Sequence, residues 1–344
     1  MHLRSSVVLA VYAIVLASCA GCSGPSIVTE EFEGRDCEYY HVEGNWLVYG
    51  WSPPGNLGSP IHMVARDLTT GTETELESDW HGKGIDLEDG ILVYTKRAGG
   101  GAVNLVAYDL QAGTGTTFYR GQVSGFDVSG STVVWGAKDE TDSRVIAIGT
   151  TQGGAVRLIQ DAARPKSASD TRARVSGNLV VFCRRDLSTN VYTLMVHNLN
   201  SGTTEALPIT LSSAPGFDLS GDTIVYRKKD DDAFYVMNLS DRKERWLVDV
   251  PYLSEGPVLN GNTVAWVSHM PPEEFKGIAA QPLIDHRDFR DLNVINIDSS
   301  KQKTLISERF GLRSVSITDD QRIFVLLPRE VTASPSRITD IIQF

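Results

Sequence analysis

Short apolar runs of Val, Ile, Leu and aromatic residues recur along this chain, each closed by a polar break that contains Gly. One phrase carries the pattern. Asp127-Val128-Ser129-Gly130-Ser131-Thr132-Val133-Val134-Trp135 reads as a short strand, a tight turn at Ser129-Gly130, and a second strand that ends in an aromatic. It returns as Val175-Ser176-Gly177-Asn178-Leu179-Val180-Val181-Phe182, as Asp218-Leu219-Ser220-Gly221-Asp222-Thr223-Ile224-Val225-Tyr226 and as Leu259-Asn260-Gly261-Asn262-Thr263-Val264-Ala265-Trp266. After the aromatic comes a polar hairpin and a third strand, such as Asn104-Leu105-Val106-Ala107-Tyr108. Next stands Asp-Leu-x-x-Gly, as at Asp67 to Gly71 and Asp109 to Gly113, with Asn198 to Gly202 and a degenerate Asn238-Leu239-Ser240-Asp241 as variants. Asp and Asn cap such turns with their own side chains, and Gly supplies the positive φ. A fourth segment, Thr72-Glu73-Thr74-Glu75-Leu76 in one unit, alternates as a half-exposed strand does. No amphipathic helix of ten residues interrupts the series.

The aromatic markers are Tyr49, Tyr94, Trp135, Phe182, Tyr226, Trp266 and Phe324, at intervals of 45, 41, 47, 44, 40 and 58 residues. A strand-only repeat of that length predicts a β-propeller. The expected fold is all-β: seven four-stranded antiparallel blades, with six blades as the alternative. The last unit runs out of chain after one further strand, so an N-terminal strand at 27–32 is expected to complete it and close the ring. Closure removes the unpaired edges that a linear stack would expose. The longest interval holds an insertion in the sixth unit, at about 270–290.

The first residues belong to targeting. Met1-His2-Leu3-Arg4 precedes an apolar run from Val7 to Leu16, which is too short for a stable span and fits an export signal. Leu16-Ala17-Ser18-Cys19 then has the form of a bacterial lipobox. The expected division is a lipoprotein signal peptide at 1–18, a tether at 19–26 lipidated on Cys19, and one propeller domain at 27–344. That places the protein in a bacterial cell envelope, anchored to a membrane and facing away from the cytoplasm. Membrane binding by acyl chains scales with buried CH₂ groups, at about 0.8 kcal/mol each. Of the remaining cysteines, Cys183 reads as a small buried hydrophobe. Cys22 and Cys37 are either a bridge or two free thiols.

Net charge is −11 over 344 residues, which argues against a phosphate backbone as the natural partner, since such binding needs clustered Lys and Arg. The expected partners are the membrane through the anchor and an envelope protein or glycan, with no nucleic acid and with the chain itself a monomer.

The Ser-Gly-x-x-Val-Val-Trp phrase, followed by Asp-Leu-x-x-Gly, resembles TolB-like (WD40-like) β-propeller repeats. Those repeats carry a Ser-Pro-Asp-Gly type of turn, to which Glu88-Asp89-Gly90 and Thr318-Asp319-Asp320 come closest here. The resemblance covers nearly all of the chain after the signal peptide. It implies the fold and supplies no catalytic motif. The separate α/β domain that accompanies the propeller in TolB has no counterpart here, so a part in the Tol system is not implied.

Eight residues before each marker stand His41, Asp86, Asp127, Arg174, Asp218, Val258 and Ser316; ten before stand Tyr39, Gly84, Gly125, Arg172, Gly216, Gly256 and Ser314. Superposed blades would put each set at one level around the axis. His41, Asp86, Asp127, Arg174 and Asp218 are therefore the candidate ligand-binding ring. Two readings stand open. The aspartates cap their own turns and bond along the blade, or the ring holds a basic ligand or a cation such as calcium, with the glycines leaving room. No cofactor, metal-ligand spacing, catalytic set or nucleophile elbow is otherwise evident. Asp230-Asp231-Asp232 lacks the order of a calcium loop and reads as a hairpin tip. The functional expectation is a binding or scaffold module, with a carbohydrate-active or lactone-type enzyme as the alternative.

Overall fold

The computed structural model describes residues 28–31, 36–53, 61–80, 84–100, 102–161, 163–211, 216–269, 289–309, 313–318, 321, 323–330 and 337–343. Cys19, Cys22 and most of the insertion at 270–290 lie outside them, as does the side chain of Cys37. The described strands form seven four-stranded antiparallel sheets, six of them meanders of consecutive strands. We number them as blades 1 to 7, drawn from residues 36–80, 85–121, 126–158, 168–211, 217–249, 253–309 and 313–343. The first strands of the blades touch one another in cyclic order, from Asp36–Glu43 through Ile85–Glu88, Phe126–Ser129, Ala168–Ser176, Phe217–Ser220 and Leu253–Asn260 to Arg313–Ile317, which touches Asp36–Glu43. They surround the axis of a propeller.

Blade 7 takes its outermost strand from the other end of the chain. Val28–Glu31 pairs antiparallel with Arg337–Gln343, in the register Val28 to Gln343 and Glu31 to Asp340.

The apolar runs are continuous because both faces of a second strand are buried. Along blade 3, Val133 and Trp135 pack on Val93, Leu105 and Ala107 of blade 2, while Val134 packs on Val175, Val180 and Phe182 of blade 4. A strand covered on both sides reads as a hydrophobic run rather than an alternation. Of the markers, Tyr49, Trp135, Phe182 and Tyr226 are fully buried. Each such aromatic contributes about 2 kcal/mol by leaving water. The tyrosines carry a hydroxyl into this packing and spend it on an outer-strand glutamate. Tyr49 donates to Glu73 and Tyr94 to Glu77, both at 2.8 Å, and Tyr226 donates to Glu244.

The Asp-Leu-x-x-Gly turns form as their chemistry requires. The carboxylate of Asp67 accepts the amide of Thr69 at 2.8 Å, Asp109 accepts those of Gln111 and Ala112 at 2.9 and 2.8 Å, and Asn198 accepts that of Asn200 at 2.9 Å. Gly71, Gly113 and Gly202 follow at φ of 72°, 67° and 69°. In the degenerate copy Arg242 takes the glycine's place at φ 58°.

Blade 3 departs from the pattern. Its outer strand is only Arg157–Leu158. Part of the exposed edge is covered instead by a charged cluster from the connection into blade 4. Arg164 donates to the carbonyl of Arg144 at 2.7 Å and to Asp170 at 3.2 Å, and Arg184 grips Asp170 with two bonds at 2.8 and 3.0 Å and Asp161 at 2.5 Å. Burial alone would raise the Asp161 carboxyl, yet its bond from Arg184 holds it below the usual carboxylate range.

Candidate functional site

The inner strands end in the repeated Asp-x-Ser-Gly phrase, and two of its side chains reach into the next blade. Asp86 accepts the amide of Val128 at 3.0 Å, Asp127 that of Val175 at 2.7 Å, and Asp218 that of Leu259 at 2.8 Å. Ser129, Ser176 and Ser220 accept the amides of Gly177, Gly221 and Gly261 at 3.3, 2.9 and 2.9 Å. In blade 6 Asn260 takes the serine's place and donates to the carbonyl of Ile317 in blade 7 at 3.0 Å. The phrase is thus a latch between blades. Asp127 does not cap its own Ser-Gly turn; its carboxylate crosses to blade 4, to the amide of Val175 and the guanidinium of Arg174.

Arg174 stands where an aspartate would complete the series. It has no oxygen to offer the amide of blade 5. Its guanidinium lies between two neighbours instead, donating from Nε to Asp218 at 2.8 Å and from Nη1 to Asp127 at 3.2 Å. His41 lies 3.6 Å from Asp86 through Nδ1. The structure therefore brings Asp127, Arg174 and Asp218 into one bonded group, with the His41–Asp86 pair next to it. Asp127 and Asp218 each give one carboxylate oxygen to a backbone amide of the next blade and the other to Arg174, whereas Asp86 gives one oxygen to the amide of Val128 and the other to that of its own neighbour Leu87 at 3.0 Å.

The electrostatics follow from burial and crowding. Burial raises the carboxyls of both Asp127 and Asp218. Arg174 opposes that shift in each, and for Asp127 the nearby Asp86 and Asp218 reinforce it. Burial alone would lower Arg174, but Asp127 and Asp218 outweigh it, so the guanidinium stays charged. Burial lowers His41 despite Asp86, and it is neutral at pH 7. No group of three or more His, Cys, Asp or Glu side chains that could hold a metal ion occurs among the described residues.

Two cavities meet at this level. One of 380 Å³ lies where the inner strands end and is lined by His41, Asp86, Asp127, Arg174 and Asp218 among others. The second, of 660 Å³, lies where they begin, and its lining includes Arg172, Arg174, Arg227, Glu255 and Phe217. Arg174, Val258 and Val315 line both. The arginines of the larger cavity were not singled out together by sequence. The signal lay in the row ten residues before the markers, where Arg172 replaces the glycine of four other blades.

Two glycines of that row serve packing, while Gly125 has open space around it and is set by its φ of 73°. A side chain at Gly84 would meet the ring of Phe126 at 3.0 Å, and one at Gly256 would meet Trp266 at 2.8 Å. Asp230 to Asp232 form a hairpin tip. Asp230 has φ 63°, Asp231 accepts the hydroxyl of Tyr235 at 2.6 Å and Asp232 pairs with Arg227. His62 bonds Glu75 at 3.2 Å and stacks on Trp51, and His197 bonds Thr204 at 2.9 Å. Cys183 is a buried free thiol.

No family model matches this chain, and no curated protein matches it. Solved structures do. A prolyl endopeptidase aligns with a TM-score of 0.66 at 14% identity over 89% of this chain and 46% of its own. The present chain thus spans under half of that enzyme. Oligogalacturonate lyase from Vibrio parahaemolyticus aligns with a TM-score of 0.60 at 12% identity, over 93% of this chain and 98% of its own. TolB from Acinetobacter baumannii aligns with a TM-score of 0.50 at 15% identity, over 77% of this chain and 64% of its own. The likeness is one of fold. It agrees with the propeller-repeat resemblance of the sequence, and it joins peptidases, a lyase and TolB without choosing among them.

Proposed function

We propose that this chain is a binding module of a bacterial cell envelope, tethered to a membrane by lipid on Cys19. It presents the arginine-lined end of its channel to a ligand or partner. One observation supports this above the others. The acidic side chains at the axis are already engaged, with Asp86, Asp127 and Asp218 latched to backbone amides and Asp127 and Asp218 also paired with Arg174. A metal site or an acid–base pair needs carboxylates whose oxygens are free to reach a ligand.

Two measurements test the reading. The chain is dialysed against calcium or manganese and its metal content determined, alone and as the Asp127→Asn, Asp218→Asn double variant. The expected content is well below one ion per chain in both. A stoichiometric ion that the double variant loses would refute the reading. Metabolic labelling with a radioactive fatty acid is expected in the wild type and lost in Cys19→Ser; equal labelling of both would remove the anchor.

A second reading, a carbohydrate-active or lactone-type enzyme, draws on His41. It is neutral, beside Asp86, and opens on the 380 Å³ cavity, as a general base would. Turnover of a glycan or lactone that falls in His41→Gln would favour it.

A further inference from the structure

We propose that the 660 Å³ cavity is a binding site for a carboxylate-bearing small ligand of about disaccharide size, with Arg172 as its principal anchor. This rests on the binding reading above. Its volume falls inside the range of about 300–1,000 Å³ found for small-molecule sites.

The lining selects the charge. Arg172, Arg174 and Arg227 face the cavity, and the carboxylate in its lining, Glu255, is paired with Arg290 at 3.4 Å. Two of the three arginines are engaged from behind, Arg174 by Asp127 and Asp218, and Arg227 by Asp232 and the carbonyl of Asp231. The Arg172 side chain has no hydrogen bond or ion pair among the described residues, and the residue is exposed. A planar guanidinium with its donors unspent matches a carboxylate with two parallel bonds.

The backbone points the same way. Arg172 has φ 48° and is the extra residue of a β-bulge, between the register pairs of Thr171 and Ala173. The matching positions in blades 2, 3, 5 and 6 are glycines, and Gly125 has φ 73°. A side chain in the left-handed region costs about 1–2 kcal/mol. The bulge turns Arg172 toward the cavity, and an outlier so placed is the kind of strain found at ligand sites. The remaining walls suit a ring. Phe217, Pro257 and Val315 offer apolar surface, and the Ser254 hydroxyl stands among them.

The test is calorimetric titration of the full chain with digalacturonate, its neutral methyl ester, succinate and inorganic phosphate. Digalacturonate is expected to bind, and the ester to bind at least about tenfold more weakly, the worth of one charge-assisted pair. Arg172→Asn keeps a residue that tolerates positive φ. It is expected to weaken digalacturonate at least about tenfold with an unchanged melting temperature. Arg227→Gln should act in the same direction on the opposite wall. Succinate binding as tightly as digalacturonate would make the natural ligand a small organic acid; digalacturonate alone would make it a sugar acid. Equal binding of the ester, unaltered binding by Arg172→Asn, phosphate alone, or no binding at about 10 mM would each overturn the site. Failure here with no metal and no turnover leaves the binding reading standing. Turnover of digalacturonate that Arg172→Asn abolishes keeps the site and ends the binding-only reading.

Discussion

The junction between blades 4 and 5 and the junction between blades 5 and 6 are built from the same phrase with one residue changed. At the latter, Asp218 catches the amide of Leu259 and Ser220 catches that of Gly261. At the former, Ser176 catches the amide of Gly221, but Arg174 has replaced the aspartate and turns its guanidinium back to Asp127 and on to Asp218. One junction is held by two neutralised backbone donors. The other trades one of them for a cation that ties three blades. A cation can therefore stand in this row only where a copy of the aspartate latch is given up, and Arg174 is such a copy.

The sharpest way to break the comparison is Arg174→Met. It leaves Asp127 and Asp218 buried without their cation, and should cost about 3 kcal/mol at pH 7 by denaturant unfolding. The deficit should depend on pH. Burial holds both carboxyls above their ordinary range in the folded state. A raised native value contributes stability that is complete below the unfolded value and lost as pH rises through the folded one. The variant should thus recover toward wild type as pH falls from 7 to about 4. A deficit that grows on acidification would contradict the charge arrangement.

Asp218→Ala removes one latch and one partner of Arg174, and is expected to cost about 2 kcal/mol in the same assay. The serine latches are smaller, about 0.5–1 kcal/mol each. Ser176→Ala should cost more than Ser220→Ala, because blade 4 has no aspartate to share the load; the reverse order would mean that the two junctions are equivalent. Arg172→Gly relieves a positive φ at the price of chain entropy, and should stabilise by roughly 0.5 kcal/mol. Cys183 then reports on the weakened junction. It packs with Phe217 and Leu219 of blade 5, and burial pushes its thiol up to about 12. Native protein at pH 8 should resist iodoacetamide, and Arg174→Met should be labelled measurably faster.

The repeat, its strands and the closing segment could be read from the chain because each rests on local chemistry. Ser129-Gly130 makes a turn wherever it stands, and Asp109 caps a loop two residues away. The latch could not be read that way. Asp127 and Val175 are 48 residues apart, and the direction of a carboxylate across a blade boundary leaves no trace in spacing. The row of His41, Asp86, Asp127, Arg174 and Asp218 was legible as a level. Its bonding was not, since the same row suits an open ring or a set of engaged donors and acceptors. Arg172 was legible in principle, as a charged residue in a glycine column. The shortened outer strand of blade 3 gave no warning, because its cover comes from Arg164 and Arg184, on either side of another strand.

The pairing of Val28 with Gln343 also has a place in time. Each of blades 1 to 6 can form from one contiguous stretch of chain, whereas the seventh sheet waits for residues from both ends. Bringing partners about 315 residues apart together costs about 2 kcal/mol more in loop entropy than closing a segment of about 40. Of the seven sheets, the seventh therefore carries the largest closure cost. Until Val28–Glu31 pairs with Arg337–Gln343, the outer edge of that sheet is unpaired and open to any strand that reaches it first.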